Sequence, residues 1–144
     1  MRIFRDVGGV SAIEFAFLAP VFLTMTFGTL KFGVAMNHYM VLTNAAAKGA
    51  MTLALSRGTT TPYASTTTAV TAAASGLTVG SITITVSVNG NACTTDADCS
   101  TKLTAAVGQA ALVRATYPCD LTVMGVNYAP SGCTLSAQTA QMVQ

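Results

Sequence analysis

The residues most able to take part in chemistry are one glutamate in an apolar run and four cysteines in the second half of the chain. Glu14 is the single ionisable residue between Val10 and Leu30. A charged side chain costs about 2.5–3.5 kcal/mol at the bilayer centre on insertion scales, and less towards the interface. An acid in such a run therefore normally has a function, and we expect Glu14 to meet a positive charge.

The partner that the sequence suggests for Glu14 is a newly formed amino terminus. Cleavage after Gly9 would make Val10 the first residue of the mature chain and Glu14 the fifth. The amine and the carboxylate would lie about one helical turn apart, which is too far for pairing within one chain. A neighbouring chain staggered along the helix axis could bring the two charges together and neutralise both in lipid.

The cysteines are Cys93, Cys99, Cys119 and Cys133, an even number confined to the part of the chain beyond the apolar run. This pattern indicates disulfides in an oxidising compartment. Three pairings are possible, and nearness in sequence favours Cys93 with Cys99 and Cys119 with Cys133. Each bond would pin a loop at a strand end and contribute about 2–3 kcal/mol. A metal site is less favoured, because there is no CxxC pair and the only histidine, His38, is distant in sequence.

Other candidate sites are weak. Asp96 and Asp98 form a DxD pattern that could chelate calcium, but the glycine and the glutamate of a calcium loop do not follow, so we expect a solvated loop. No GxSxG, HExxH or phosphate-binding motif is present, so we expect neither an enzyme nor a cofactor or metal. The net charge of +2, with no basic run among aromatics, argues against nucleic-acid binding.

The element that carries Glu14 is a candidate membrane helix. Val10 to Leu30 would extend about 30 Å as a helix, the thickness of the hydrocarbon core. The flanking Arg2 and Arg5 predict a cytoplasmic amino terminus and export of everything after the helix. The alternative is a secretory signal peptide cut near the small residues 44–47, although the run is long for one and contains an acid. Pro20 would bend this helix without ending it.

Beyond Leu30 the pattern becomes amphipathic, and one helix is predicted from about residue 11 to 55. Arg57 and Gly58 are its stop signals. Lys31 and His38 are expected on the outer face near the membrane boundary. The packing face could cover the chain's own sheet or a neighbouring subunit, and it comprises Ala35, Tyr39, Leu42, Ala46, Ala50 and Leu53.

In the remaining chain a short helix is predicted at 63–75. Apolar and polar residues then alternate, as they do in β-strands, at 82–88, 109–117 and 134–142. The predicted fold is therefore α+β, with a long N-terminal helix packed on a small antiparallel sheet of about three strands. The predicted domain organisation has four parts: a basic leader at 1–9, a transmembrane half-helix at 10–30, an amphipathic half-helix at 31–57 and an exported disulfide-braced domain at 58–144.

A family resemblance lies in the residues around Glu14. The stretch GGVSAIEFAFLAPVF, followed by FGTLKFG and TNAAAKGA, resembles the TadE-like proteins of tight-adherence (Flp) pilus systems, specifically from Gly8 to Arg57. A basic leader ending in Gly9, followed by Glu14 and Phe15, is also similar to the processing site of type IV prepilins and pseudopilins. The resemblance implies cleavage after Gly9 by a prepilin peptidase, with Glu14 serving recognition and subunit alignment.

The expected function is structural: a minor pilin or pseudopilin that assembles or initiates a Flp-type pilus through its N-terminal helix. Its expected partners are other pilin-like subunits, of its own or a paralogous kind, the prepilin peptidase and the inner-membrane assembly machinery. The expected location is the bacterial inner membrane, with the domain on the periplasmic or extracellular side, or a surface pilus. The alternative is a tethered or secreted binding module whose helix is only an export signal or anchor, with the Cys93–Cys99 loop as a contact surface.

Overall fold

The computed structural model describes residues 7–123 and 125–144, with side chains from Ala12 onward. Most of the predicted basic leader, including Arg2 and Arg5, lies outside the described residues. The elements, in chain order, are α1 (Val7–Leu55), α2 (Pro62–Ala73), a 3-10 turn (Val79–Ser81), β1 (Thr83–Val88), β2 (Asn91–Cys93), α3 (Asp96–Ala105), β3 (Ala110–Pro118), β4 (Thr122–Val123), β5 (Val126–Asn127) and β6 (Thr134–Met142).

The α1 helix has 49 residues and extends about 74 Å at 1.5 Å per residue. It begins a few residues before the predicted start and ends at the predicted residue. Pro20 lies within it, and the helix continues because proline removes only one backbone hydrogen bond of the ladder. Gly58 follows the last turn at a φ of +77°, the left-handed conformation that glycine supplies after a helix.

The sheet has four antiparallel strands in the order β2-β1-β3-β6. The long helix on a small antiparallel sheet confirms the predicted fold class, and the three predicted strands correspond to β1, β3 and β6. The fourth strand, β2, has three residues, too few for alternation to show in a sequence. It pairs with β1 through a turn in which Asn89 and Gly90 have φ of 49° and 78°, as a two-residue hairpin requires.

The core lies between one face of the sheet and the two helices α1 and α2. Strand residues Val86 and Val113 point into it from the sheet, and Val70 points into it from α2. Gly49 is a point of close approach between the helices, since a β-carbon there would lie 2.3 Å from a methyl carbon of Val70. Only glycine lets α1 approach α2 and β3 so closely.

The prediction of a solvated loop at Asp96 and Asp98 is wrong, because these residues begin α3. Thr95 caps the helix, its hydroxyl accepting a hydrogen bond from the backbone N–H of Asp98 at 3.3 Å. The Asp98 carboxylate accepts a hydrogen bond from Lys102 one turn later at 2.8 Å, and the Asp96 carboxylate accepts one from the Ala64 N–H of α2 at 2.9 Å. Both acids therefore brace the helices.

Two disulfides close the domain, Cys93–Cys99 between β2 and α3 and Cys119–Cys133 at the β3–β6 end of the sheet. They are the two pairings that nearness in sequence favours. The second encloses a small hairpin formed by β4 and β5, which pair through Thr122 with Asn127 and Val123 with Val126. We call residues 119–133 the disulfide hairpin.

Candidate functional site

The principal candidate site is the part of α1 that extends beyond the domain. Among the described residues, α1 is the one helix long and apolar enough to cross a membrane, and its most apolar stretch is unburied by the rest of the chain. The side chains of Phe15, Phe17 and Phe22 are each more than two-thirds exposed. Such a surface is suited to lipid or to other helices, and in water it would be a large exposed apolar patch.

Glu14 lies on this exposed part of α1, and Phe15 beside it is exposed as well. Among the described side chains Glu14 forms no ion pair. Gly9 and Val10 belong to the helical backbone of α1, with their neighbours on both sides helical. Positions 10 and 14 are therefore one turn apart along a continuous helix, about 6 Å in rise.

The predicted packing face of α1 divides into two parts. Leu42, Ala46, Ala50 and Leu53 are fully buried in the chain's own core, against the sheet and α2. Nearer the membrane segment, Ala35 is only half-buried and Tyr39 is 41% exposed. The intramolecular contact therefore accounts for the buried part of the stripe, and the part before Val41 stays largely uncovered.

Lys31 and His38 do not lie on the outer face, as the sequence suggested, but face the small domain. The ammonium of Lys31 lies 3.8 Å from a carboxylate oxygen of Asp120, and the rings of His38 and Tyr117 meet edge to face at 5.6 Å between centroids. The helix pattern alone could not reveal these contacts, because the partners lie far along the chain, on the disulfide hairpin and β3. Both side chains are half-exposed, so each contact orients the helix more than it stabilises the fold.

The pKa of Asp120 is lowered from its ordinary value of 3.8. The largest cause is hydrogen bonding from the Thr122 side chain, followed by the Thr122 backbone N–H, which donates to the carboxylate at 2.9 Å. The positive charge of Lys31 adds a smaller contribution. The hairpin thus holds a charged carboxylate at its base, next to the helix.

The disulfide hairpin lies against α1 beside the last turns of the predicted membrane segment. Leu121, Val123 and Tyr128 of the hairpin share a cleft of about 470 Å³ with Met25 and Gly28 of the helix. A second cleft, of about 600 Å³, lies between the helix and the base of the hairpin. The sequence predicts no hairpin here, and the loop between the two paired cysteines is its only signal.

Comparison with known proteins gives one positive finding. A family model described as TadE-like protein matches residues 9–51, which are the greater part of α1. The match confirms the resemblance seen in the motifs around Glu14, and it does not extend to the sheet, to α3 or to the disulfide hairpin. No curated protein and no solved structure matches the chain at a significant level.

Proposed function

We propose that this chain, a TadE-like and thus Tad pilus-associated protein, is a pilin-like structural subunit that assembles or initiates a Flp-type pilus. In this proposal the exposed part of α1 is the assembly element. The domain built on the other half of α1 is carried on the exported side of the inner membrane. Other pilin-like subunits, the prepilin peptidase and the inner-membrane assembly machinery are its proposed partners.

The observation that carries the proposal is the position of Glu14. It is an acid on an exposed apolar helix surface, without an ion-pair partner among the described side chains. In lipid such a carboxylate is expensive unless it is protonated or paired. Cleavage after Gly9 would supply an ammonium group at Val10, and a subunit shifted by one turn along the helix would bring that group to the Glu14 of its neighbour.

Replacement of Glu14 tests this pairing. E14A and E14Q should insert into the membrane as well as or better than the unaltered chain, because they remove a charge from lipid, yet pilus assembly and recovery of partner subunits should fall strongly. A matched control is T24A, which removes a polar group from the same exposed surface; its hydroxyl bonds only to helix carbonyls. Normal assembly by E14Q would contradict the pairing role.

The amino terminus of the protein in native membranes and in sheared fibres tests the processing step. Mass spectrometry should find a mature chain that begins at Val10. A terminus near Ala47 would instead favour the alternative of an exported binding module, and an intact Met1 would favour a tethered one. Either result would leave no new amine at Val10, and the assembly role of Glu14 would lose its basis.

A further inference from the structure

The disulfide hairpin presents an apolar surface directly beside the predicted membrane segment. Val126 is 54% exposed and Tyr128 is 63% exposed, on a two-stranded hairpin closed by the Cys119–Cys133 bond. The backbone N–H of Tyr128 donates to the carbonyl of Leu121 at 3.3 Å, which holds the two arms together. The surface is therefore held in place at both its base and its arms.

The hairpin lies at the same height along α1 as residues assigned to lipid. Its cleft with the helix is bordered by Met25 and Gly28 on one side of Leu30, where the predicted membrane segment ends, and by Lys31 and Phe32 on the other. Five residues of helix correspond to about 8 Å, so Met25 lies about that far inside the predicted boundary. Interfacial protein segments typically enter the headgroup and acyl boundary by about 5–10 Å.

The composition of the hairpin fits that depth. Residues 121–133 contain no Asp, Glu, Lys, Arg or His. The nearest charges are Asp120 at the base of the hairpin and Lys31 on the helix, and these two are paired with each other at 3.8 Å. Tyr128 is an aromatic residue with a polar end, the type that favours the membrane interface. Leu121, Val123 and Tyr128 of the hairpin also line one cleft with exposed apolar residues of α1 such as Met25 and Phe32.

We infer that the disulfide hairpin is a second membrane contact, which inserts Val126 and Tyr128 into the outer interface of the bilayer next to α1. This inference rests on the membrane-anchored helix of the proposed function. The occupant of the hairpin surface is lipid, and acyl chains occupy the cleft that Leu121, Val123 and Tyr128 share with Met25 and Gly28. The domain is then fixed to the membrane at two points, with a defined orientation, instead of rotating about a single helix.

The chain contains no tryptophan, so single tryptophans report on one position at a time. The full chain is reconstituted in phosphatidylethanolamine and phosphatidylglycerol vesicles that contain brominated lipids. Y128W and V126W are the hairpin reporters, and F22W reports on the middle of the membrane segment. V107W is the matched control, an exposed apolar site in the loop that hydrogen-bonds to the carboxyl-terminal end of β6, remote from the hairpin. Mass spectrometry verifies both disulfides in each variant.

The expected result is blue-shifted emission from both hairpin reporters and quenching several-fold stronger than at V107W. Lipids brominated near the headgroup should quench Y128W best, and lipids brominated near the chain ends should quench F22W best. If F22W is quenched while Y128W and V126W behave as V107W does, the hairpin inference is wrong and the membrane helix stands. If F22W itself escapes quenching, both fail. Shielding of the hairpin reporters only in assembled fibres would mean that a neighbouring subunit occupies this surface, and would also overturn the inference.

Discussion

At the scale of single residues, Gly49 decides how closely α1 and α2 pack. A β-carbon at this position would lie 2.3 Å from a methyl carbon of Val70 and 3.3 Å from one of Val113. Both neighbours are β-branched and stiff at their first side-chain torsion, so they cannot turn away easily. Adding even a single carbon at Gly49 therefore strains the core.

We expect G49A to destabilise the domain by about 1–3 kcal/mol through overpacking, reduced by the better helix propensity of alanine, worth up to about 1 kcal/mol. Thermal unfolding followed by circular dichroism in detergent measures the change. G33A is the control, because a β-carbon at Gly33 would meet no atom within 4 Å. A G49A protein as stable as G33A would show that the helices can separate without cost.

Asp120 makes the hairpin base sensitive to acid. Because its pKa is lowered in the folded chain, its bonds stabilise the hairpin fully above the ordinary pKa of 3.8 and are lost as the pH falls through the lower folded value. The Thr122 amide resonance should therefore titrate with a midpoint below 3.8, and D120N should abolish that titration. A midpoint at or above 3.8 would contradict the bonds to Thr122 and Lys31. The expected effect on overall stability is small, because the group is exposed.

At the scale of elements, the two disulfides hold different loops. The Cys93–Cys99 pair spans a separation of 6 residues and the Cys119–Cys133 pair a separation of 14. Loop-closure entropy therefore gives the second bond the larger contribution, about 3 kcal/mol against about 2 kcal/mol. The first also ties β2 to α3, whereas the second encloses the hairpin beside α1.

The double variant C119S/C133S should raise hydrogen exchange across residues 121–128 while β1 and β3 stay protected, because the sheet does not depend on the hairpin. C93S/C99S is the matched comparison and should leave exchange in the hairpin unchanged. In the unaltered protein, thiol labelling without reductant should find no reactive cysteine. Labelling of all four would show that neither bond forms.

The sequence predicts the long elements well and the short ones poorly. The helix α1 and the strands β1, β3 and β6 contain enough residues for their hydrophobic periods to be visible. The sequence predicts a solvated loop where α3 lies, because the DxD pattern between Cys93 and Cys99 indicates a loop, although Thr95 and Asp98 form a capping pattern. The strands β2, β4 and β5 have two or three residues each, and tertiary packing alone defines them.

The candidate site follows the same division. Glu14 and Phe15 can be identified from the sequence because an acid in an apolar run is exceptional. The contact of Lys31 with Asp120 cannot, since it joins residues far apart in the chain and depends on the position of the hairpin. The helix pattern placed Lys31 outward because periodicity describes faces of a helix and does not identify the element that covers each face.

At the scale of the whole molecule, the chain consists of a compact domain and a helix that extends beyond it. The buried part of α1 begins near Leu42, and the segment before it contributes little to the core. A chain that begins at Gly33 should therefore be soluble, form both disulfides and unfold cooperatively, although it loses the exposed Lys31–Asp120 pair and the contacts of the hairpin with Met25 and Gly28. Loss of a cooperative thermal transition, or the presence of reactive free thiols in the shortened chain, would show that the membrane segment is needed for folding.

The helix α1 and the strand β6 run in the same direction. Near the start of β6, Lys31 of α1 lies beside Asp120, and just past the end of β6 the carbonyl of Ala54 accepts a hydrogen bond from the N–H of Gln144. Gln144 is consequently at the end of the domain opposite the hairpin. In the proposed membrane orientation, a fluorescent protein or affinity tag joined after Gln144 would point away from the bilayer and leave the exposed apolar length of the helix unobstructed. If the proposed function holds, such a fusion should be tolerated during export and should mark the outer surface of the assembled structure.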